Sequence, residues 1–436
     1  MTAGRDDADC WRPPEDRRGD QRRSEERFQI HLDQYKVAAR TRAREIVVIK
    51  MYYVCRITGA IALLALAAAA WFSITFARAD AEFGRHTPES VARAIQLMPR
   101  NTEYLAFHAL QLDYEGEDST PVLECIAGLN PLSSAPRIRL GLAAETRGDF
   151  ATAERWLLDA ARVDHQFEPR WTLANYYFRR ENAGQFWKWI RLALELSYGD
   201  RRPAFDLCWR ISSDAAEILD RAIPDRHDVV SAYLSYVAVE HHIPAVLPGA
   251  RKLASFHDPK DLPLLYAACD ALLESGDEAA VEIWTLTGRP VPYGVVNGDF
   301  AGPPLNHGFD WRLLDPGGVT FVNLPAPPAL RISMSGKQPE SCDLLVQIMR
   351  LKAGARYVLQ WEARTQALPA ISGLEWRLEN ERAAIVSSDD WRAGEANFVA
   401  HSHLPRLVLA YQRPSGEPRA DGFLELRHVS IRESDR

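Results

Sequence analysis

Ser134–Phe167 reads SAPRIRLGLAAETRGDFATAERWLLDAARVDHQF, two helical stretches hinged on Gly148-Asp149-Phe150. Small residues fall where two helices would have to approach closely: Gly141 and Ala144 on the first, Ala153 and Ala160 on the second. At the hinge, glycine supplies the left-handed conformation that a tight turn needs, and Phe150 would seal the base of the hairpin. The next stretch, RWTLANYYFRR (Arg170–Arg180), opens the same way with Trp171, Ala174 and Phe178. Its second helix, GQFWKWIRLALEL, is about a turn short, and Phe186, Trp187 and Trp189 within it read as packing residues.

Outward from this hairpin, Leu97-Met98-Pro99, Leu129-Asn130-Pro131, Val163-Asp164-His165 and Leu196-Ser197-Tyr198 close successive units at intervals of 32, 34 and 33 residues. A period of this size marks stacked helical hairpins, none of which can bury its apolar face alone. Leu262–Gly288 recovers the pattern with Ala268, Leu272, Gly276-Asp277 and Ala280. Through Leu140, Gly141, Gly148, Ala153 and Ala160 the chain resembles tetratricopeptide (TPR) repeats. That resemblance implies a curved all-α solenoid over residues 79–288, with the first helix of each hairpin lining a groove for a protein partner. Carried over position by position, it places Glu145, Tyr176, Arg179 and Arg180 in that groove. Cys125, Cys208 and Cys269 lie among apolar neighbours on the expected helices and read as reduced, buried fillers.

Toward the N-terminus stands a run of twenty-one uncharged residues, Ile57–Ala77 (ITGAIALLALAAAAWFSITFA). As a helix it would span roughly 30 Å, the thickness of bilayer hydrocarbon. Trp71 and Phe72 near one end, and Tyr52 and Tyr53 flanking the other, suit the two interfaces. The preceding flank carries Lys36, Arg40, Arg42, Arg44, Lys50 and Arg56 against Glu45, whereas Arg78 and Arg85 on the far side are offset by Asp80 and Glu82. The positive-inside rule then places the N-terminus in the cytoplasm and the remainder outside. Cleavage as a signal peptide at Ala77-Arg78-Ala79 or Ala79-Asp80-Ala81 is the rival; the long lead before the apolar run favours an uncleaved anchor. Residues 1–23, mixed in charge and poor in apolar side chains, read as a disordered cytoplasmic tail. Residues 24–50, with Phe28, Leu32, Tyr35 and Ala39 at helical spacing, read as a juxtamembrane helix leading into a transmembrane helix over 51–78.

Toward the C-terminus the pattern changes after Gly288. Arg289-Pro290-Val291-Pro292 reads as a linker. Beyond it lie alternating strands at Ala329–Met334, Leu344–Arg350, Arg356–Arg364, Leu374–Glu379, Arg406–Tyr411 and Phe423–Ile431, giving an all-β antiparallel sandwich over 289–436. Tyr357, Leu359, Trp361 and Ala363 alternate with Val358, Gln360, Glu362 and Arg364, as in a sheet with one wet face. Val296-Asn297-Gly298-Asp299-Phe300, then Gly308-Phe309-Asp310-Trp311, and a closing strand Phe423–Ile431 resemble the jelly rolls of carbohydrate-binding modules. That resemblance implies Phe309 and Trp311 facing the sandwich core, and exposed rings that stack on sugars; Trp376, Trp391 and Tyr411 are the candidate glycan contacts. Such modules often hold a structural calcium through an acid soon after the N-G-x-F phenylalanine and an aspartate on the last strand. Ala301 and Glu425-Leu426 stand in those places here, a departure that puts the calcium in doubt, and no other cofactor is expected.

The chain as a whole, 436 residues with net charge −7 and pI ≈ 6.0, is long enough for several domains and too acidic to bind nucleic acid by bulk positive charge. Six cysteines are too few for a disulfide framework. No nucleophile elbow, HExxH helix or phosphate-binding glycine loop occurs. His401-Ser402-His403 on a strand would put two imidazoles on one face but lacks a third ligand, and the adjacent His241 and His242 on a helix point apart. The expectation is a non-catalytic scaffold of the bacterial envelope: single-pass in the inner membrane, its C-terminal domains periplasmic, contacting an envelope protein through the solenoid and glycan through the sandwich. Surface polysaccharide assembly is the process such modularity suggests. The alternative is an envelope hydrolase or transferase acting on glycans through the sandwich.

Overall fold

The computed structural model describes residues 17–291 and 293–434. Two compact units emerge, Met1–Pro131 and Leu132–Arg436. In the first, helix α1 (Arg17–Phe83) is followed by α2 (Pro88–Leu97), α3 (Thr102–Glu115) and α4 (Thr120–Leu129). Helix α1 starts at Arg17, seven residues before the expected juxtamembrane helix. The helical conformation therefore covers 17–23 of the stretch read as disordered, and the rest of that stretch lies outside the described residues. Lys50–Phe83 is the one segment among the described residues long and apolar enough to cross a membrane, and none of its apolar window is buried by protein. A buried core helix would be covered by its neighbours; this one is not.

Helix α1 does not stop at the end of the apolar run. Its last turns pack against α2, so that Ala79, Ala94 and Tyr104 are fully buried together under Phe83, Ile95, Leu97 and Met98. Tyr104 Oη donates to Asp80 at 2.8 Å, and Arg93 Nε donates to Glu82 at 2.9 Å. Thr87 caps α2 in a reciprocal capping box with Ser90, and Asn101 caps α3. The end of the apolar helix is thus the first helix of the first hairpin.

The second unit opens with the hairpins α5 (Ala135–Thr146)/α6 (Phe150–Val163) and α7 (Phe167–Arg179)/α8 (Ala183–Leu196). After them come α9 (Arg202–Ile211), α10 (Ala215–Arg221), α11 (His227–Val239), α12 (Ile243–Ala254), α13 (Leu262–Glu274) and α14 (Ala280–Leu286). The closing phrases read from the sequence all sit at helix C-termini, those of α2, α4, α6 and α8. Gly148 holds φ +80°, and Asp149 caps α6 by accepting from the Thr152 amide at 3.1 Å. Gly141 is where α5 and α6 cross: a β-carbon there would lie 2.6 Å from Leu157 Cδ2. Cys208 and Cys269 are buried as expected, but Cys125 is exposed, on the outer side of α4 away from Leu123, Ile126 and Ala127.

The ten strands among the described residues form two antiparallel five-stranded sheets, ordered β1-β4-β9-β6-β7 and β2-β3-β10-β5-β8. They are β1 (Arg312–Leu313), β2 (Val319–Pro325), β3 (Pro328–Ser335), β4 (Ser341–Ile348), β5 (Arg356–Gln366), β6 (Leu374–Leu378), β7 (Glu381–Ala384), β8 (Arg392–Val399), β9 (Arg406–Gln412) and β10 (Asp421–Glu433). One core unites the sheets, with Phe300, Trp311, Trp361, Trp376 and Tyr411 among its members. Phe309 corrects the sequence reading. It is buried, but in the core of the helical part, its ring 5.9 Å from that of Trp284 on α14. The Arg289–Pro292 stretch accordingly does not separate two independent bodies. Asp270 on α13 accepts from the Gly308 amide (2.7 Å) and Arg312 (2.6 Å) and bonds His307 Nδ1 (2.6 Å). Gly308 lies so close under Trp284 that a β-carbon would fall 2.0 Å from the indole.

Candidate functional site

The expected groove residues come together, but mostly to hold the hairpins to each other. Glu145 on α5 and Arg179 on α7 form a two-bond ion pair at 2.8 and 2.7 Å. Their separation of 34 residues is one repeat, so the pair ties the first helices of consecutive hairpins. Tyr176 is not in a groove: it is buried, with its hydroxyl donating to the Phe150 carbonyl at 3.0 Å. Arg180 is exposed, and its guanidinium sits 3.7 Å from the centre of the Phe150 ring. A depression lies further along, a cavity of about 190 Å³ between the first helices α9 and α11. Arg202, Ser235, Val239 and Glu240 are among its lining, and Val239 and Glu240 are exposed. The signal that sequence reasoning misses is Val239, an apolar residue left 65% exposed at the end of α11.

In the sandwich, two of the three candidate glycan contacts belong to the core. Trp376 is fully buried against the rings of Trp311 and Trp361. Tyr411 is also fully buried, and its hydroxyl accepts from the Ala420 amide at 3.0 Å. Strand β6 explains the first case, since Leu374, Trp376 and Leu378 face inward while Glu375 and Arg377 face out. Trp391, just before β8, is the remaining candidate and is half-buried.

Around Trp391 the outer face of the β2-β3-β10-β5-β8 sheet carries an ordered set of charges. Register pairs Arg331 with Glu425, Glu425 with Arg364, and Glu362 with Arg427. The Glu425 carboxylate has no exposure, and both of its oxygens are taken. Arg331 donates to one at 2.6 and 2.8 Å, and Arg364 donates to the other. Burial opposes ionisation of Glu425, but the hydrogen bonds from Arg364 and Arg331 outweigh it and hold the pKa below the ordinary carboxylate value. Arg427 and Arg364 also meet the Trp391 ring, at 4.1 and 5.2 Å from its centre, and Arg331 lies 4.6 Å from that of Phe423. A guanidinium has five N–H donors. Even after their ion pairs, the three arginines keep donors for hydroxyl or carboxylate oxygens beside two partly exposed rings.

No cluster of three or more His, Cys, Asp or Glu side chains able to hold a metal occurs among the described residues. Of the residues standing where calcium ligands would be, Glu425 is bound by two arginines; nearby, Asp299 faces His428 at 2.7 Å. His401-Ser402-His403 forms a bend before β9, not a strand; the His401 and Ser402 amides donate to Glu379. A second concavity, of about 380 Å³, opens between the edge strands β7 and β8, with Trp361 at its floor and Arg392 and Glu395 among its lining. Gly394 makes room for that indole, which a β-carbon would meet at 2.4 Å.

No family model matches the chain, and no curated protein does. Solved structures resemble it in parts. A CBM4 structure is 11% identical, with a TM-score of 0.26, and the match covers 32% of this chain and 99% of that one. TmCBM61, solved with β-1,4-galactotriose, is 15% identical, with a TM-score of 0.22 over 32% of this chain and 92% of its own. YrrB, a TPR protein with an unusual peptide-binding site, is 12% identical, with a TM-score of 0.24 over 45% of this chain and 90% of its own. The chain's own geometry is TPR-like in its helical hairpins, with their left-handed glycine turns, and carbohydrate-binding-module-like in its two-sheet antiparallel sandwich.

Proposed function

We propose that this protein is a membrane-anchored, non-catalytic envelope scaffold that holds a protein partner on its helical hairpins and a glycan on its sandwich. The observation that carries the reading is the unbroken passage of an uncovered apolar helix into the first hairpin. A span continuous with a folded repeat holds that repeat at a membrane surface. The first-helix cavity between α9 and α11 is of a size for one or two peptide side chains, and it replaces Tyr176 as the partner contact. For the glycan, Trp391 with Arg364 and Arg427 supplies an aromatic surface and donors together, the combination a sugar ring with its hydroxyls requires. Surface polysaccharide assembly is the process this pairing of modules fits, by analogy of architecture alone.

The charge asymmetry around Ile57–Ala77 favours hairpins and sandwich outside the cytoplasm. Protease added to spheroplasts should digest residues 79–436 and spare an N-terminal tag. Protection of the C-terminal region, or release of the protein into the soluble fraction, would overturn the reading.

A further inference from the structure

The first hairpin runs back toward the membrane. Arg93 on α2 meets Glu82 on α1, and Leu97, one turn on, lines the same groove as Arg78, one turn back. Each step forward along α2 is thus matched by a step back along α1. Helix α2 ends at Leu97, level with Arg78, so the turn that follows it, Met98–Arg100, reaches on toward Ala77, Phe76 and Thr75. Those three residues of α1 belong to the last turn of the uncharged run. At about 1.5 Å of rise per residue, the turn between α2 and α3 lies at or just inside the level where hydrocarbon gives way to headgroups.

The chemistry of the turn suits that level. Leu97 and Met98 are half-buried on the core of the hairpin and Pro99 and Arg100 are exposed, so an apolar Pro99 at the tip is followed by a long cation able to reach back to phosphate. Arg78, the first charge after the span, stands at the mouth of a groove of about 330 Å³ formed with Ala81, Glu82, Arg93, Gln96 and Leu97. Tyr104 on α3, bonded to Asp80, fixes the depth of the turn relative to the span.

We infer that the α2–α3 turn, Leu97–Arg100, is seated in the bilayer interface, so that the first hairpin docks on the lipid surface instead of hanging from a tether. The inference rests on α1 spanning the membrane, and the test separates the two. The full chain, with Cys10, Cys55, Cys125 and Cys342 replaced by serine and the buried Cys208 and Cys269 retained, is placed in phosphatidylcholine–phosphatidylglycerol nanodiscs. Nitroxides are attached in turn at Pro99→Cys, at Arg100→Cys, at Leu66→Cys in mid-span and at Tyr114→Cys, which is 93% exposed. Power saturation then compares collision with oxygen, which enters lipid, and with a nickel chelate, which does not. The labels at 99 and 100 should meet nickel at least fivefold less than the label at 114, following the label at 66. Nickel access at 99 and 100 equal to that at 114, with 66 shielded, would overturn the seating while leaving the span intact. Nickel access at 66 would show that α1 does not span, and both inferences would fall.

Discussion

The helical hairpins and the sandwich solve the problem of close packing in opposite ways. Between α5 and α6 the contact is made by removing side chains: Gly141, Ala144, Ala153 and Ala160 let two backbones approach, and polar ties such as Glu145–Arg179 lie on the outside. In the sandwich the space between the sheets is filled by large rings, Trp311, Trp361, Trp376 and Tyr411, and the outer face carries a fully buried carboxylate, Glu425, between arginines. The difference teaches where function has room. The hairpins expose their first-helix side between units, whereas the sandwich has used most of its aromatics internally and leaves Trp391 and Phe423 partly open.

The largest effect should come from Trp376→Ala, which empties a core position and should cost about 3–5 kcal/mol in chemical denaturation of the full chain. A loss of glycan binding with stability unchanged would instead return Trp376 to the surface. Next is Glu425→Gln. Removing one member of a fully buried ion pair costs about 3–5 kcal/mol, and the partly open arginines reduce this to about 2–3 kcal/mol. The pH dependence has a definite sign. Because the folded carboxyl titrates below its ordinary value, its stabilisation is present above the unfolded carboxylate range and is lost as pH falls through the lowered folded pKa. Acid denaturation of the wild type should therefore be steeper than that of Glu425→Gln; equal slopes would mean that the carboxylate is not ionised in the fold.

On the helical side, Gly148→Val should cost about 1–3 kcal/mol through backbone strain alone, since φ is +80° and a β-carbon there meets no atom within 4 Å. An unchanged melting temperature would remove the left-handed turn from the description. Smallest is Arg179→Ala, about 1 kcal/mol for a pair whose arginine is half open to solvent and whose glutamate is mostly covered, read by thermal melting. A cost as large as that of Glu425→Gln would erase the contrast between an outer tie and a buried one.

Much of this is legible in the sequence, for physical reasons that differ by region. The hairpin period is visible because each unit ends its second helix with the same kind of phrase, and Gly148 marks a turn that few other residues allow. Strand β5 is visible because strict alternation over Tyr357–Arg364 matches one dry face and one wet one. Strand β8, RAGEANFV, is hidden because small and polar residues give almost no alternation. Trp376 and Tyr411 look like surface rings only when ring size is weighed above register. Leu374-Glu375-Trp376-Arg377-Leu378 already alternates with the tryptophan on the apolar side. Phe309 falls to the wrong core because its partner, Trp284, lies 25 residues earlier, across an apparent linker. The Arg331–Glu425–Arg364 set joins three strands far apart in the chain, and no local pattern announces such a meeting.

The glycan reading at Trp391 is tested most directly by calorimetric titration of the full chain in nanodiscs with neutral and uronate-bearing oligosaccharides, comparing wild type with Trp391→Ala. The expected result is binding by the wild type and about a tenfold loss in Trp391→Ala, on the order of 1.4 kcal/mol, with the melting temperature unchanged. No binding of any glycan at millimolar concentration, or equal affinity in the two proteins, would contradict it.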